Sequence, residues 1–538
     1  MTTRHAAVPL LLVFAIALGL AACARLARSP ESTTTTATLP VLATSREADG
    51  EPAPGEAAGT HQPQMVLRHY GVNPTIETRA EAISTFAADV DTGSYALARA
   101  YLARDVLPDE AAVRVEEVVN AFDYGYRAPK DDVFAVQVEA FPSPSRKGYH
   151  VLHLGVKARE VPKAERKPSH LVFTIDVSGS MAQDNRLGLV KQALALLVDE
   201  LDARDRVSLV VYGDSAHVVL PPTSATEKDA LKAAIDNLRP EGSTNVEAGL
   251  DLAYQLAMKG FVPGGINRVI LCSDGVANNG VTEAGGLWAK VKGRASEGVT
   301  LSTVGFGMGH YNDVLMERLA DQGDGQYAYV DRLAEAKRLF VEQLTGTLQV
   351  VAKDVKLQVE FDPQVVERYR LIGFENRLLE KRDFANDKVD GGELGAGHQV
   401  TAMYEVKFTA DAARAQAFAT FRARYKAPSG GESRLVQRAL PMSVVRASTA
   451  EATGPARLSL AAAGFAEKLR GSYWVRTLSW AQVVQQLDGL PPGLKVRPDV
   501  VELRALVVKA AKLDTRPDRF ESEAPVAKMD FDRLPVLQ

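Results

Sequence analysis

The chain has 538 residues, too many for one hydrophobic core to organise, so about three domains are expected at 100–200 residues each. Its formal charge of −4 comes without a basic block or an aromatic-basic stripe, which argues against nucleic acid as a partner. Two cysteines in all, Cys23 and Cys272, exclude a disulfide framework.

In chain order, Arg4 and His5 precede an apolar run from Ala6 to Leu20 and small residues up to Cys23. This pattern predicts a secretory signal rather than a membrane span. Leu20-Ala21-Ala22-Cys23 resembles the lipobox of bacterial lipoproteins, which implies cleavage before Cys23 and its lipidation. Ala24, where an aspartate would signal retention, implies by the same resemblance the outer membrane of a Gram-negative cell, with the protein facing the periplasm or the cell surface. Residues 24–64 are rich in Thr, Pro, Gly and Ala and hold almost no aromatic or β-branched apolar residue besides Val41. They cannot bury enough surface to offset the entropy of ordering. Such a tether spans roughly 35 Å root-mean-square.

Residues 65–130 are expected to form a helical segment, because GSYALARAYLA at 93–103 and EAAVRVEEVVNAF at 110–122 have helical spacing around Leu107-Pro108. Period-two alternation in VFAVQVEAF and YHVLHLGVK predicts two strands within 131–168. Alternation returns after Val350 in VKLQVEF, YRLIGF, QVTAMYEVKF and AFATFRARY. The expectation is one β domain built from 131–168 and 350–445 and interrupted by an insertion. Residues 446–538 carry three helical patterns and are expected to be a helical region.

The insertion, 169–349, alternates near-continuous apolar strands (LVFTID, RVSLVVYG, RVILCSDG, VTLSTVGFG) with amphipathic stretches such as LGLVKQALALLVDEL. Strands covered on both faces read this way. The fold class is α/β, a doubly wound, mostly parallel sheet inserted in a β domain, with helical N- and C-terminal parts. Ligands gather at the carboxyl ends of such strands, where Asp176, Gly213, Asp274 and Gly307 fall.

There the strand LVFTID runs into DVSGSM, so Asp176, Ser178 and Ser180 alternate with Val177 and Gly179. With the GSTN loop carrying Thr244 and the SDG carrying Asp274, this resembles the metal-ion-dependent adhesion site of von Willebrand factor type A domains. STFAADVDTGSYALARAYL with VRVEEVVNAFDY, and GFENRLL with DGGELGAGHQVTAMYE, are similar to the flanking regions of bacterial lipoproteins of this type. The resemblance implies that Ser178, Ser180 and Thr244 contact the metal, that Asp176 and Asp274 act largely through water, and that a partner's Asp or Glu completes the site. Oxygen ligands without cysteine or a placed histidine suit a hard ion, Mg²⁺ first, with Mn²⁺ or Ca²⁺ as alternatives. Ser243 stands where relatives often have a second glycine, which is expected to stiffen the loop before Thr244.

Other patterns are weaker. Asp91-Thr92-Gly93-Ser94 copies an aspartic-protease motif, but it has no second copy and precedes a helical pattern, so Asp89 and Asp91 are expected to cap or turn the chain. VSGSM lacks the G-x-S-x-G elbow of a serine hydrolase, and His170, His217 and His310 are expected to be surface or loop residues. Asp383, Asn386, Asp387, Asp390 and Glu393 could hold a calcium ion but fail EF-hand spacing, which favours a solvated hairpin loop. The expectation is a non-enzymatic lipoprotein, with no small-molecule substrate, that captures an acidic protein partner through Mg²⁺. The rival is an envelope scaffold or assembly factor in which the metal is incidental.

Overall fold

The computed structural model describes residues 65–275, 284–308, 311–515 and 524–525. The expected signal, tether and Cys23 lie outside the described residues, as does His310. Strands β1 (Ile76–Glu77) and β2 (Ile83–Ala87) come first, then helices α1 (Gly93–Ala103) and α2 (Val115–Asn120). The helical reading of 65–130 therefore needs correction in its first half. Both strands are short and pair with segments far along the chain, which no local pattern announces. Helix α1 is apolar nearly all round, and every residue from Gly93 to Leu102 is buried, as a helix enclosed on all sides requires. Ala96, Leu97, Ala100 and Tyr101 face the central domain. Tyr95, Ala98 and Leu102 face the C-terminal helices.

Strands β3 (Phe134–Pro142) and β4 (His150–Ala158) form an antiparallel hairpin. The central domain follows as β5 (Ser169–Asp176), α3 (Arg186–Glu200), β6 (Arg206–Tyr212), β7 (Ala216–Ser224), α4 (Lys228–Asp236), α5 (Val246–Lys259), β8 (Ile266–Ser273), α6 (Ala284–Ser296), β9 (Val299–Phe306), α7 (Asp313–Gln322) and β10 (Tyr327–Val330). Its strands lie in the order β10-β9-β8-β5-β6-β7, parallel except for the antiparallel edge strand β7. All eight residues of β5 are buried. Separate apolar cores cover the two faces of the sheet, one containing α3 and α4 and the other α5 and α7. From β5 the chain goes to β6 on one side and later returns to β8 on the other. The topological switch point thus lies at the carboxyl end of β5, beside Asp176.

His170, the second residue of β5, is not the surface or loop histidine expected. It is fully buried, with Nε2 2.9 Å from Ser208 Oγ, and burial pushes its imidazole down to about 4. His217 lies exposed on β7.

Beyond residue 349 come β11 (Val350–Phe361), β12 (Val366–Ile372), β13 (Gly392–Gly395), β14 (Gln399–Phe408), β15 (Ala417–Lys426) and β16 (Arg434–Pro441). They complete two sheets, β1-β12-β14-β4-β3 and β13-β11-β15-β16, with β2 also paired to β11. One core joins the sheets, with Phe86, Leu154, Val156, Leu357, Tyr404 and Phe421 in it. Val156 of β4 stands opposite Val400 of β14, so strands from before and after the central domain are neighbours. At the junctions of that domain, Lys167 N donates to Gln349 Oε1 at 2.9 Å.

Three C-terminal helices, Gly454–Leu469, Trp480–Asp488 and Pro498–Leu513, share a core with α1 and α2. Their starts are marked by caps, Thr453 for the first and a Ser479–Gln482 capping box for the second, each worth about 1 kcal/mol. Arg370 of β12, 1% exposed, bridges Glu405 and Glu467 at 2.8 Å each and fastens the first helix to the sheet. Among the described residues no helix is long and apolar enough to cross a membrane.

Candidate functional site

The last residue of β5 places the Asp176 carboxylate at the end of the sheet. The chain doubles back at once, because Ser178 N donates to Asp176 Oδ1 at 2.9 Å. The turn from Gly179 brings Ser180 round so that its hydroxyl lies 3.1 Å from that of Ser178. The other oxygen, Asp176 Oδ2, accepts from Ser273 Oγ at 2.9 Å and from the Tyr212 hydroxyl at 3.5 Å. These donors come from the ends of β8 and β6, and Gly275 N in turn donates to Ser273 Oγ at 3.0 Å. Asp274 follows, with its Oδ2 2.7 Å from Arg186 Nη1.

Thr244 arrives on the loop between α4 and α5 and is 2% exposed. That loop is stitched to the Asp176 turn by Glu241 N donating to Val177 O at 2.5 Å and Gly179 N donating to Gly242 O at 3.1 Å. Gly242 has φ +73°, and a Cβ there would stand 2.8 Å from Asp214, so the turn requires glycine. Ser243 N donates to Asp214 Oδ1 at 2.7 Å. Together the side chain and backbone of Ser243 hold the Asp214 carboxyl below its usual range. Ser243 thus anchors the loop through Asp214.

The structure places all five predicted positions on three loops at one end of the sheet. Asp176, Ser178 and Ser180 share one hydrogen-bonded turn, and the loop that carries Thr244 is bonded to that turn through Glu241 and Gly242. Asp274 is near enough for its charge to act on Asp176. Asp176, Ser178, Thr244 and Asp274 are buried, whereas Gly179, Glu241 and Gly242 are exposed and open the site to solvent. Asp176 is pushed up to about 6, chiefly by burial and further by Asp274, while hydrogen bonds from Ser178 and Ser273 pull the other way.

Sequence reasoning missed Tyr212, Ser273, Arg186 and Asp214. Arg186 alone left a signal, since it is the first residue of α3 and a cation at the positive end of a helix is disfavoured unless something pairs with it.

Among the described residues, no group of three or more His, Cys, Asp or Glu side chains converges as a metal cage. The donors here are two carboxylates with three hydroxyls. The serine hydroxyls already converge, and Asp176 is a buried carboxylate whose ionisation a nearby cation would favour. This set fits a hard ion such as Mg²⁺.

The other sequence candidates have structural duties. Asp91 N donates to Asp89 Oδ1 at 2.9 Å, which turns the chain as expected. Asp91 does not cap α1, whose N-cap is Thr92; its Oδ1 accepts from Tyr327 N at 3.1 Å. Asp383 closes a capping box with Glu380, and Asp387 accepts from Arg424 Nη2 at 3.2 Å and from Ser433.

Three family models match the chain: von Willebrand factor type A domain over residues 170–343, von Willebrand factor over 62–153, and "Uncharacterized protein YfbK, C-terminal" over 346–491. The Uncharacterized protein YfbK of Escherichia coli (strain K12) is 39% identical over 448 residues, covering 78% of this chain and 77% of that protein. The Uncharacterized protein sll0103 of Synechocystis is 26% identical over 299 residues, 54% of this chain and 70% of that one. Among solved structures, a von Willebrand factor type A protein from Catenulispora acidiphila is 17% identical, covers 68% of this chain and 87% of its own, and aligns with a TM-score of 0.40.

Proposed function

The chain belongs to the family of bacterial von Willebrand factor type A domain proteins that includes YfbK, and from that premise we propose that it captures an acidic protein partner through Mg²⁺ held by Asp176, Ser178, Ser180, Thr244 and Asp274. The domain itself suggests a protein-interaction or scaffold role. The finer reading is carried by one observation, the two serine hydroxyls converging at 3.1 Å beside a buried Asp176 carboxylate raised to about 6. Bound there, the ion would supply a Lewis-acidic position for a carboxylate of the partner, and Mn²⁺ or Ca²⁺ would be weaker alternatives. The protein's own part is to hold the donors still. Ser273 and Tyr212 fix one oxygen of Asp176, the Ser178 amide fixes the other, and Asp214 pins the Thr244 loop.

The role we propose is a binding one. Lipid on Cys23 would tether the protein to the outer membrane, facing the periplasm or the cell surface, and place the site within reach of envelope proteins. Mg²⁺ calorimetry and pull-downs from membranes, with and without EDTA, test this reading on wild type and Asp176→Ala. Wild type should bind Mg²⁺ and capture a partner that EDTA releases, whereas the variant should bind neither Mg²⁺ nor the partner. Capture that persists undiminished in EDTA, by wild type and variant alike, would leave the scaffold role, with an incidental ion, as the reading.

A further inference from the structure

We infer that Arg186 is a built-in counter-cation of this site, so that a divalent ion and an acidic group of the partner bind cooperatively, each more tightly when the other is present. The inference rests on the metal-binding reading above and adds how that site is regulated. The Arg186 guanidinium meets Asp274 Oδ2 at 2.7 Å, with side chains only 5% and 1% exposed. Its Nη2 donates to Met308 O. Gly307, with φ +77°, lets the chain close over the guanidinium, and a Cβ there would lie 2.3 Å from Arg186 Nε. The pair is enclosed, so solvent screens it little.

Asp176 and Asp274 would together neutralise a divalent ion. With Arg186 paired to Asp274, a bound divalent ion leaves one positive charge uncompensated in a largely buried site. Such a charge is costly unless an anion arrives. A carboxylate from the partner supplies it, and linkage makes the coupling mutual: the ion strengthens the carboxylate as much as the carboxylate strengthens the ion. A site built this way holds metal more weakly until an acidic ligand is present. It also disfavours neutral and basic ligands.

Mn²⁺ binding to the purified full chain, followed by electron paramagnetic resonance and by calorimetry, tests this with acetate as the probe carboxylate and chloride at equal ionic strength as control. Wild type should bind Mn²⁺ at least fivefold more tightly in acetate than in chloride. Arg186→Met should bind Mn²⁺ about tenfold more tightly than wild type in chloride and lose most of the acetate effect, whereas Arg186→Lys should retain it. If wild type shows no acetate effect, the inference is overturned whether or not Arg186→Met folds. If it binds Mn²⁺ as well as Arg186→Met in chloride, the inference also fails while the metal-binding reading stands. If wild type binds no metal in either salt, both fall.

Discussion

Arg114 and Asp313 meet at 2.7 Å with both side chains nearly inaccessible to water, and this contact joins the N-terminal segment to the head of α7 in the central domain. Arg114 also pairs with Glu117 on its own segment and lies 3.6 Å from Glu317, while the Tyr327 hydroxyl donates to Asp313 Oδ1 at 2.6 Å. One buried guanidinium therefore serves three acidic groups. Charges enclosed like this are strongly destabilising once a partner is lost.

Arg114→Met should consequently cost about 3–5 kcal/mol in urea unfolding. Glu317 is pushed up to about 7, chiefly by burial and against the pull of Arg114 and Arg377. A carboxyl whose folded value is raised holds its proton longer in the folded state, so its burial costs more as pH climbs from about 4.5 through 7. The loss in Arg114→Met should thus be larger at pH 8 than at pH 5. A loss independent of pH would show that the carboxylates are not responsible.

Asp176→Asn keeps the shape of the site and removes its buried charge. With Asp176 raised to about 6, ionised Asp176 weakens the metal-free fold above that pH, and the effect fades below about 4, where the unfolded carboxyl is protonated as well. In EDTA at pH 8 the variant should match or exceed the melting temperature of wild type. Adding Mg²⁺ should raise the wild-type value alone. A variant that melts well below wild type in EDTA would contradict this account.

Gly242→Ala tests the loop that carries Thr244. The left-handed backbone costs about 1–2 kcal/mol for a residue with a Cβ, and the new methyl would press on Asp214. The expected result is a modest fall in melting temperature with a weaker Mg²⁺ response, because the loop must shift. An unchanged Mg²⁺ response would separate Thr244 from the site.

His153 lies buried between Tyr126, whose hydroxyl is 2.8 Å from Nε2, and Ser459, whose Oγ is 2.8 Å from Nδ1. Burial pushes it down to about 4. The unfolded chain takes up this proton near pH 6.5, so stability should fall as pH drops from about 6.5 to about 4, by up to about 3 kcal/mol for this group. An NMR titration of the imidazole should show a midpoint near 4. A midpoint near 6.5 would mean that the pocket is open to water.

The parallel sheet is legible in the sequence because LVFTID, RVILCSDG and VTLSTVGFG are unbroken apolar runs with amphipathic stretches between them. The turn at Asp176 announces itself as well, since polar oxygen-bearing residues follow a core strand without warning. Long-range pairing is not legible. Arg186 and Asp274, Asp91 and Tyr327, and β2 and β11 meet only when the chain folds, and no local periodicity encodes which residue answers which. His170 is buried against the expectation from its residue type, because its place inside the apolar strand SHLVFTID decides its environment.

The hydrogen bond between Lys167 and Gln349 has a consequence for the order of assembly. Val156 must find Val400 across about 240 residues, a slow search for an unfolded chain. Once the central domain has formed, its two ends are held together at 2.9 Å, and the loop left to close shrinks to about 60 residues. By loop-closure entropy that lowers the cost by about 1 kcal/mol. The inserted domain then acts as a clasp, and the sandwich around it zips up only after the clasp has shut.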